Sequence, residues 1–126
     1  MKYSPAVLER VRNPKNVGWL PRDGRDVGTG EAGTLEGGSM TRIQLRVDRA
    51  TRRIDEAVFK VFGCSAAIAS ASLVTERLLG ASVEEAQSLD SLAVVAELEL
   101  PIERASVAAL AVEAARSAAE DWERKQ

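Results

Sequence analysis

The chain has 126 residues, 45% apolar and 29% charged, with 17 Lys and Arg against 19 Asp and Glu for a formal charge of −2. That length suits one domain over residues 1–126 with a core of its own, and the near-neutral balance argues against a dedicated nucleic-acid surface. Cys64 is the only cysteine and there is no histidine, so soft metal sites, which usually take four thiolate or imidazole ligands, cannot be completed within one chain. No apolar run approaches the ~20 residues that span a bilayer, so no membrane association is expected. The start, Met1-Lys2-Tyr3-Ser4-Pro5, lacks the apolar stretch of a signal peptide. One unpaired thiol excludes an internal disulfide and fits a reducing compartment, so the expected location is cytoplasmic.

A short helix is expected from Pro5 to Val11, with Ser4 as N-cap and Pro5 at the tolerated first position. Asn13-Pro14 should end it, because the residue before proline avoids helical angles. From Val17 to Gly38 the chain is rich in Gly, Pro and Asp and reads as loop or short edge strand. Gly28, Gly30, Gly33, Gly37 and Gly38 do not spell a phosphate-binding loop, since no Gly-Lys-Ser/Thr follows and no strong strand precedes. Two alternating strands come next. Ile43, Leu45 and Val47 oppose Arg42, Gln44 and Arg46; Ala57, Phe59 and Val61 oppose Val58, Lys60 and Phe62. They read as an antiparallel hairpin with one wet face, the second strand running into Gly63-Cys64.

Beyond Cys64 the pattern turns helical. Ser65 to Leu79 is rich in small residues that let another backbone approach closely, with Gly80 as C-cap. Ser82-Val83-Glu84-Glu85 is a capping box opening a further helix. Ser91 to Leu98 forms another, stopped by Pro101. A last helix from about Ile102 to Trp122 carries Val107, Leu110, Ala114 and Ala118 at helical spacing. Helix, strands, then helices imply an α+β fold with the helices stacked on one face of a small antiparallel sheet. Trp19 and Trp122 read as packing anchors.

At Cys64 a family resemblance becomes legible. Tyr3-Ser4, Asn13-Pro14-Lys15-Asn16-Val17-Gly18 and Val27-Gly28-Thr29-Gly30 belong to it. So do Phe59-Lys60-Val61-Phe62-Gly63-Cys64, the run from Ala67 to Glu76, and Glu97-Leu98-Glu99-Leu100-Pro101. In this order and spacing the chain resembles the IscU/NifU-type scaffold family of iron–sulfur cluster assembly over nearly its whole length. The resemblance implies that family's fold and, as partner, a cysteine desulfurase. It also implies a cluster site of three cysteines, an aspartate and a histidine, from which this chain departs. The first cysteine position falls on Gly37 and the aspartate on Ser39; Cys64 is the middle cysteine; the histidine and last cysteine fall on Arg104 and Ala105. Of the family's chaperone-recognition stretch only Leu100-Pro101 remains, with Ile102, Glu103 and Arg104 after it.

Cys64 is placed where a strand ends and a helix begins, and exposed amides there favour a thiolate. Arg104 would add a permanent positive charge that cannot ligate a metal but can stabilise a thiolate or persulfide. Ser39 would offer a neutral hydrogen bond, and Lys60 a second, supporting cation. The plainer readings stand beside these: Cys64 as a small core hydrophobe, Arg104 as a solvated helix residue, Lys60 as a sheet-surface charge. Three functions remain open. The first is a single-cysteine sulfur carrier, a carrier rather than a turnover enzyme, which takes persulfide sulfur from a desulfurase on Cys64 and passes it to an acceptor protein. The second is a non-catalytic regulator or hetero-oligomeric partner of a desulfurase or a true scaffold. The third is a scaffold whose cluster is bridged by Cys64 of two subunits. On this reading the isolated chain binds no cofactor stably.

Overall fold

The computed structural model describes residues 2–126. Helix α1 (Pro5–Arg12) begins as its sequence dictates: the Ser4 hydroxyl accepts from the Val7 amide and Pro5 occupies the first turn. The same hydroxyl donates to the Leu98 carbonyl at 2.6 Å, which pins the start of the chain to a segment 94 residues away. Three strands follow, β1 (Val27–Thr34), β2 (Ser39–Val47) and β3 (Ile54–Phe62), in an antiparallel sheet of order β1-β2-β3. Gly30 pairs with Ile43, and Ile43 in turn with Phe59. The alternation in β2 and β3 sends Ile43, Leu45, Val47, Ala57 and Phe59 into the core.

The helical half is α2 (Ser65–Leu78), α3 (Val83–Gln87), α4 (Ser91–Leu98) and α5 (Ala105–Lys125), with a 3-10 turn at Ile102–Arg104 before α5. The α+β architecture is therefore as expected: helices α2 and α5 cover the inward face of the sheet and pack on each other. Ser82 accepts from the Glu85 amide to start α3, and Asp90 from the Leu92 amide to start α4. Gly80, at φ +82°, reverses the chain just after α2. The last helix begins at Ala105 rather than Ile102, because the residues after Pro101 close the tighter turn first.

Of the loop or short edge strand expected from Val17 to Gly38, the structure has the edge strand, β1, eight residues long. Its burial comes from α5. A Cβ on Gly28 would stand 2.0 Å from the Ala118 carbonyl oxygen, and one on Gly30 would stand 2.0 Å from that of Ala114. Only glycine lets the helix backbone settle this low on the sheet. The alanines of α5 (Ala108, Ala111, Ala114, Ala115, Ala118 and Ala119, all buried) supply the matching smooth face.

The wet face of the hairpin is also less wet than its pattern suggests. Residues 16–18 run beside β3, with Gly18 N–H bonded to Phe59 O and Phe59 N–H to Asn16 O. The chain then crosses the outer face, and Leu20 gives its amide and carbonyl to the Gln44 side chain at 2.8 and 2.9 Å. Gln44 is thus buried with its amide satisfied, donating also to Thr29 Oγ1. Lys15 and Asn16 are fastened to α2, the Lys15 amide donating to Ser72 Oγ and the Asn16 side chain to Thr75 Oγ1. Trp122 is a packing anchor, 1% exposed, whereas Trp19 is 70% exposed and anchors nothing.

Candidate functional site

Where β3 ends, Gly63 carries the chain into Cys64, which is the N-cap of α2 with extended backbone angles. The thiol is half-buried, and it makes no capping bond to the amides of the first turn. No acidic residue stands in that first turn either, so the positive end of a 14-residue helix is left unneutralised beside the sulfur.

Ser39 opens β2 one hairpin away and lies against the residue before the cysteine. A Cβ on Gly63 would stand 2.9 Å from Ser39 Oγ and 3.3 Å from Ala67 Cβ. Glycine at 63 is what lets the serine hydroxyl and the start of α2 share one corner. Gly37 sits in the exposed turn before it, its amide donating to Thr34 Oγ1 at 2.9 Å, so its place in the structure is that of a turn residue.

Arg104 stands at the junction of the 3-10 turn and α5, with half-buried Ala105 next to it. Its Nε donates to the Tyr3 hydroxyl at 3.2 Å. The bond to Tyr3 comes first among the causes that hold the guanidinium above its ordinary pKa, followed by the negative charge available at Tyr3 and then at Cys64. The neighbouring Glu103 adds a smaller effect in the same direction. Among the described residues none of the ion pairs involves Arg104. The cation is therefore held by a phenol rather than consumed by a carboxylate.

Lys60 is placed differently. It sits exposed on the outer face of β3, opposite Arg42, with its ammonium 5.2 Å from the centre of the Phe62 ring. The structure gives it the surface role. Tyr3 joins the site although the sequence does not announce it. Its only signal is membership of the Tyr3-Ser4 pair, since nothing local marks a residue 101 positions from its partner.

The donor set can be judged against the cluster that the family resemblance implies. The Ser39 hydroxyl lies against Gly63 and the Arg104 guanidinium is bonded to the Tyr3 phenol; a guanidinium offers no lone pair to a metal. Among the described residues no three His, Cys, Asp or Glu side chains gather as a ligand group. One thiolate is what this chain itself can give to iron.

Comparison with known proteins agrees with the fold. Residues 2–126 match the family described as NifU-like N terminal domain. The iron-sulfur cluster assembly scaffold protein IscU of Haemophilus influenzae is 40% identical over 126 residues, covering 100% of this chain and 99% of that one. The protein of the same name from Azotobacter vinelandii is 38% identical over 126 residues, covering 100% of this chain and 98% of that one. A NifU-like N-terminal domain from Brucella abortus superposes with a TM-score of 0.74 at 18% identity, covering 98% of this chain and 95% of its own, a likeness of fold. The chain belongs to the NifU-like N-terminal domain family, the family its sequence resembles.

Proposed function

We propose that the protein is a sulfur carrier of iron–sulfur metabolism that accepts persulfide sulfur on Cys64. The single observation that carries this reading is a lone half-buried thiol at the uncapped N-terminus of α2, where no acidic residue offsets the helix charge. The donor on this reading is a cysteine desulfurase. The Cys64 thiolate attacks the outer sulfur of the donor's protonated persulfide. A new Sγ–S bond forms as the donor's S–S bond breaks, and the electron pair leaves on the donor's thiolate. Charge and oxidation level balance across this exchange, so no separate oxidant is needed. The persulfide then deprotonates, and Arg104 and the α2 amides stabilise the anion. An acceptor protein, or a true scaffold, takes the sulfur in a second exchange of the same kind.

Exposed apolar side chains stand close in sequence to these residues and suit a protein partner: Leu35 at 62%, Phe62 at 46% and Ile102 at 84% exposure. A thiol that must stay reduced fits a cytoplasmic setting. Among the described residues no helix is long and apolar enough to cross a membrane.

A second reading is favoured by identities near 40% to proteins named as cluster scaffolds over their full length. In it, Cys64 of two subunits bridges a cluster as cargo, with two exogenous thiolates completing the ligands. One experiment separates the readings. Wild type and Cys64→Ser are each tested for desulfurase pull-down, for effect on desulfurase turnover, and for iron and sulfide retained after anaerobic reconstitution and gel filtration. The carrier predicts sulfur on wild type only and no retained cluster. Equal effects of both proteins on turnover, with no sulfur on either, would make it a regulator. Stoichiometric iron and sulfide on wild type would make it a scaffold.

A further inference from the structure

Away from the cysteine, a groove of about 380 Å³ lies between α2, α3 and α4. Its floor is apolar, built by Leu73, Val74 and Leu78 of α2 and Val94 of α4, all buried side chains. Leu89 and Ala93 close its sides. At 1.5 Å per residue, Leu73 and Leu78 lie roughly 13 to 21 Å along α2 from Cys64, so this is a separate surface. The space is within the range of ligand pockets and wide enough for two large apolar side chains.

The rim carries three carboxylates, Glu85, Asp90 and Glu97, with Arg77 bonded to Glu97 and Arg116 bonded to the Leu89 carbonyl. Glu85 has only a loose pairing with Arg53 at 4.0 Å, both side chains being more than half exposed. Asp90 caps α4 by accepting from the Leu92 amide. An apolar floor beside Asp90, which is in no ion pair among the described residues, and the loosely paired Glu85 asks for an apolar occupant with a basic edge.

We propose that this groove docks an amphipathic basic helix of a partner protein, apolar side chains seated on Leu73, Leu78 and Val94 and Lys or Arg facing Glu85, Asp90 and Glu97. It is a second protein contact, independent of the cysteine and of whether that cysteine carries sulfur. Helix-in-groove binding of this kind takes its affinity from apolar anchors and its selectivity from the charged rim.

The test uses the whole protein and a synthetic 12-residue Lys/Leu amphipathic helix as probe, with a Glu/Leu helix of the same pattern as control. Backbone amide NMR shifts should change on Leu73, Arg77, Leu89, Ala93 and Glu97, saturably, and weaken as salt is raised. Exposed Ala93→Trp, which fills the groove, should weaken probe binding by about tenfold or more. Glu85→Lys with Glu97→Lys should weaken the Lys/Leu probe and admit the Glu/Leu one, which keeps the idea testable if the tryptophan variant fails to fold. Cys64→Ser should bind as wild type does. Shifts scattered over other surfaces, equal binding of both helices to wild type, or indifference to both groove variants would overturn the proposal. Concentration-dependent shifts at the same residues without any probe would also overturn it, by assigning the groove to a second copy of this chain.

Discussion

The contact of α5 with β1 and the corner around Cys64 use small residues to opposite ends. Under α5, the glycines at 28 and 30 remove every atom between two backbones, and a Cβ there would collide with a carbonyl oxygen at 2.0 Å. Around Cys64, the glycine at 63 instead makes room for a polar neighbour, leaving a half-buried thiol and a partly exposed cation. The first region has one solution and tolerates nothing else. The second leaves room for side chains of different chemistry. The glycine and alanine contacts that seat α5 on the sheet lie on β1, not at the cysteine corner.

If that contrast is right, Gly30→Val should damage the fold more than any substitution at the cysteine corner. Overpacking against a backbone that cannot yield should remove about 3 kcal/mol or more, read as a fall in the urea midpoint. Gly38→Ala is the internal control. Gly38 sits at positive φ, +90°, but nothing lies within 4 Å of its Cβ position. Its cost should be only the left-handed strain, about 1–2 kcal/mol. Equal losses for the two would mean that the α5 contact is not what selects glycine at 30.

On the chemical side, Arg104→Ala should slow sulfur loading of Cys64 roughly fivefold while the urea midpoint stays put, the size expected of one partly exposed charge. The gap should narrow in high salt. Because Tyr3 and Cys64 hold the Arg104 pKa above its ordinary value, the charge persists through neutral and mildly alkaline solution and is lost only in strong alkali. The loading rate against pH should therefore show no step from Arg104 in that range. Tyr3→Phe should have the smallest effect, about two- to threefold on loading, since it removes the hydrogen bond that orients the guanidinium and leaves the charge in place. A larger effect of Tyr3→Phe than of Arg104→Ala would mean that the phenol acts on the sulfur directly.

The same contrast governs what can be read from the sequence alone. β2 and β3 alternate cleanly because one face of each meets the core, and the N-caps Ser4 and Ser82 announce their helices with their own hydroxyls. β1 is legible only as the alternative to a loop. Val27-Gly28-Thr29-Gly30 carries no apolar alternation, because its inward face is filled by the backbone of a helix some 90 residues later rather than by its own side chains. Gln44 looks solvent-facing for a similar reason: its cover is the backbone of Leu20. At the site, Cys64 and its helix can be placed from local pattern. Tyr3 cannot, because the 3.2 Å bond to Arg104 exists only once the segment before α1 and the start of α5 are brought together. Lys60, by contrast, is close in sequence to the cysteine but faces the ring of Phe62 on the outer side of the sheet.

The claim that one thiol does the work is tested most directly by intact mass. The protein is incubated with a cysteine desulfurase and cysteine under anaerobic conditions, then weighed before and after treatment with a reductant. Wild type should gain the mass of one sulfur atom, reduction should remove it, and Cys64→Ser should gain nothing while folding normally. An unchanged wild-type mass, with the desulfurase active and its own persulfide formed, would contradict the claim.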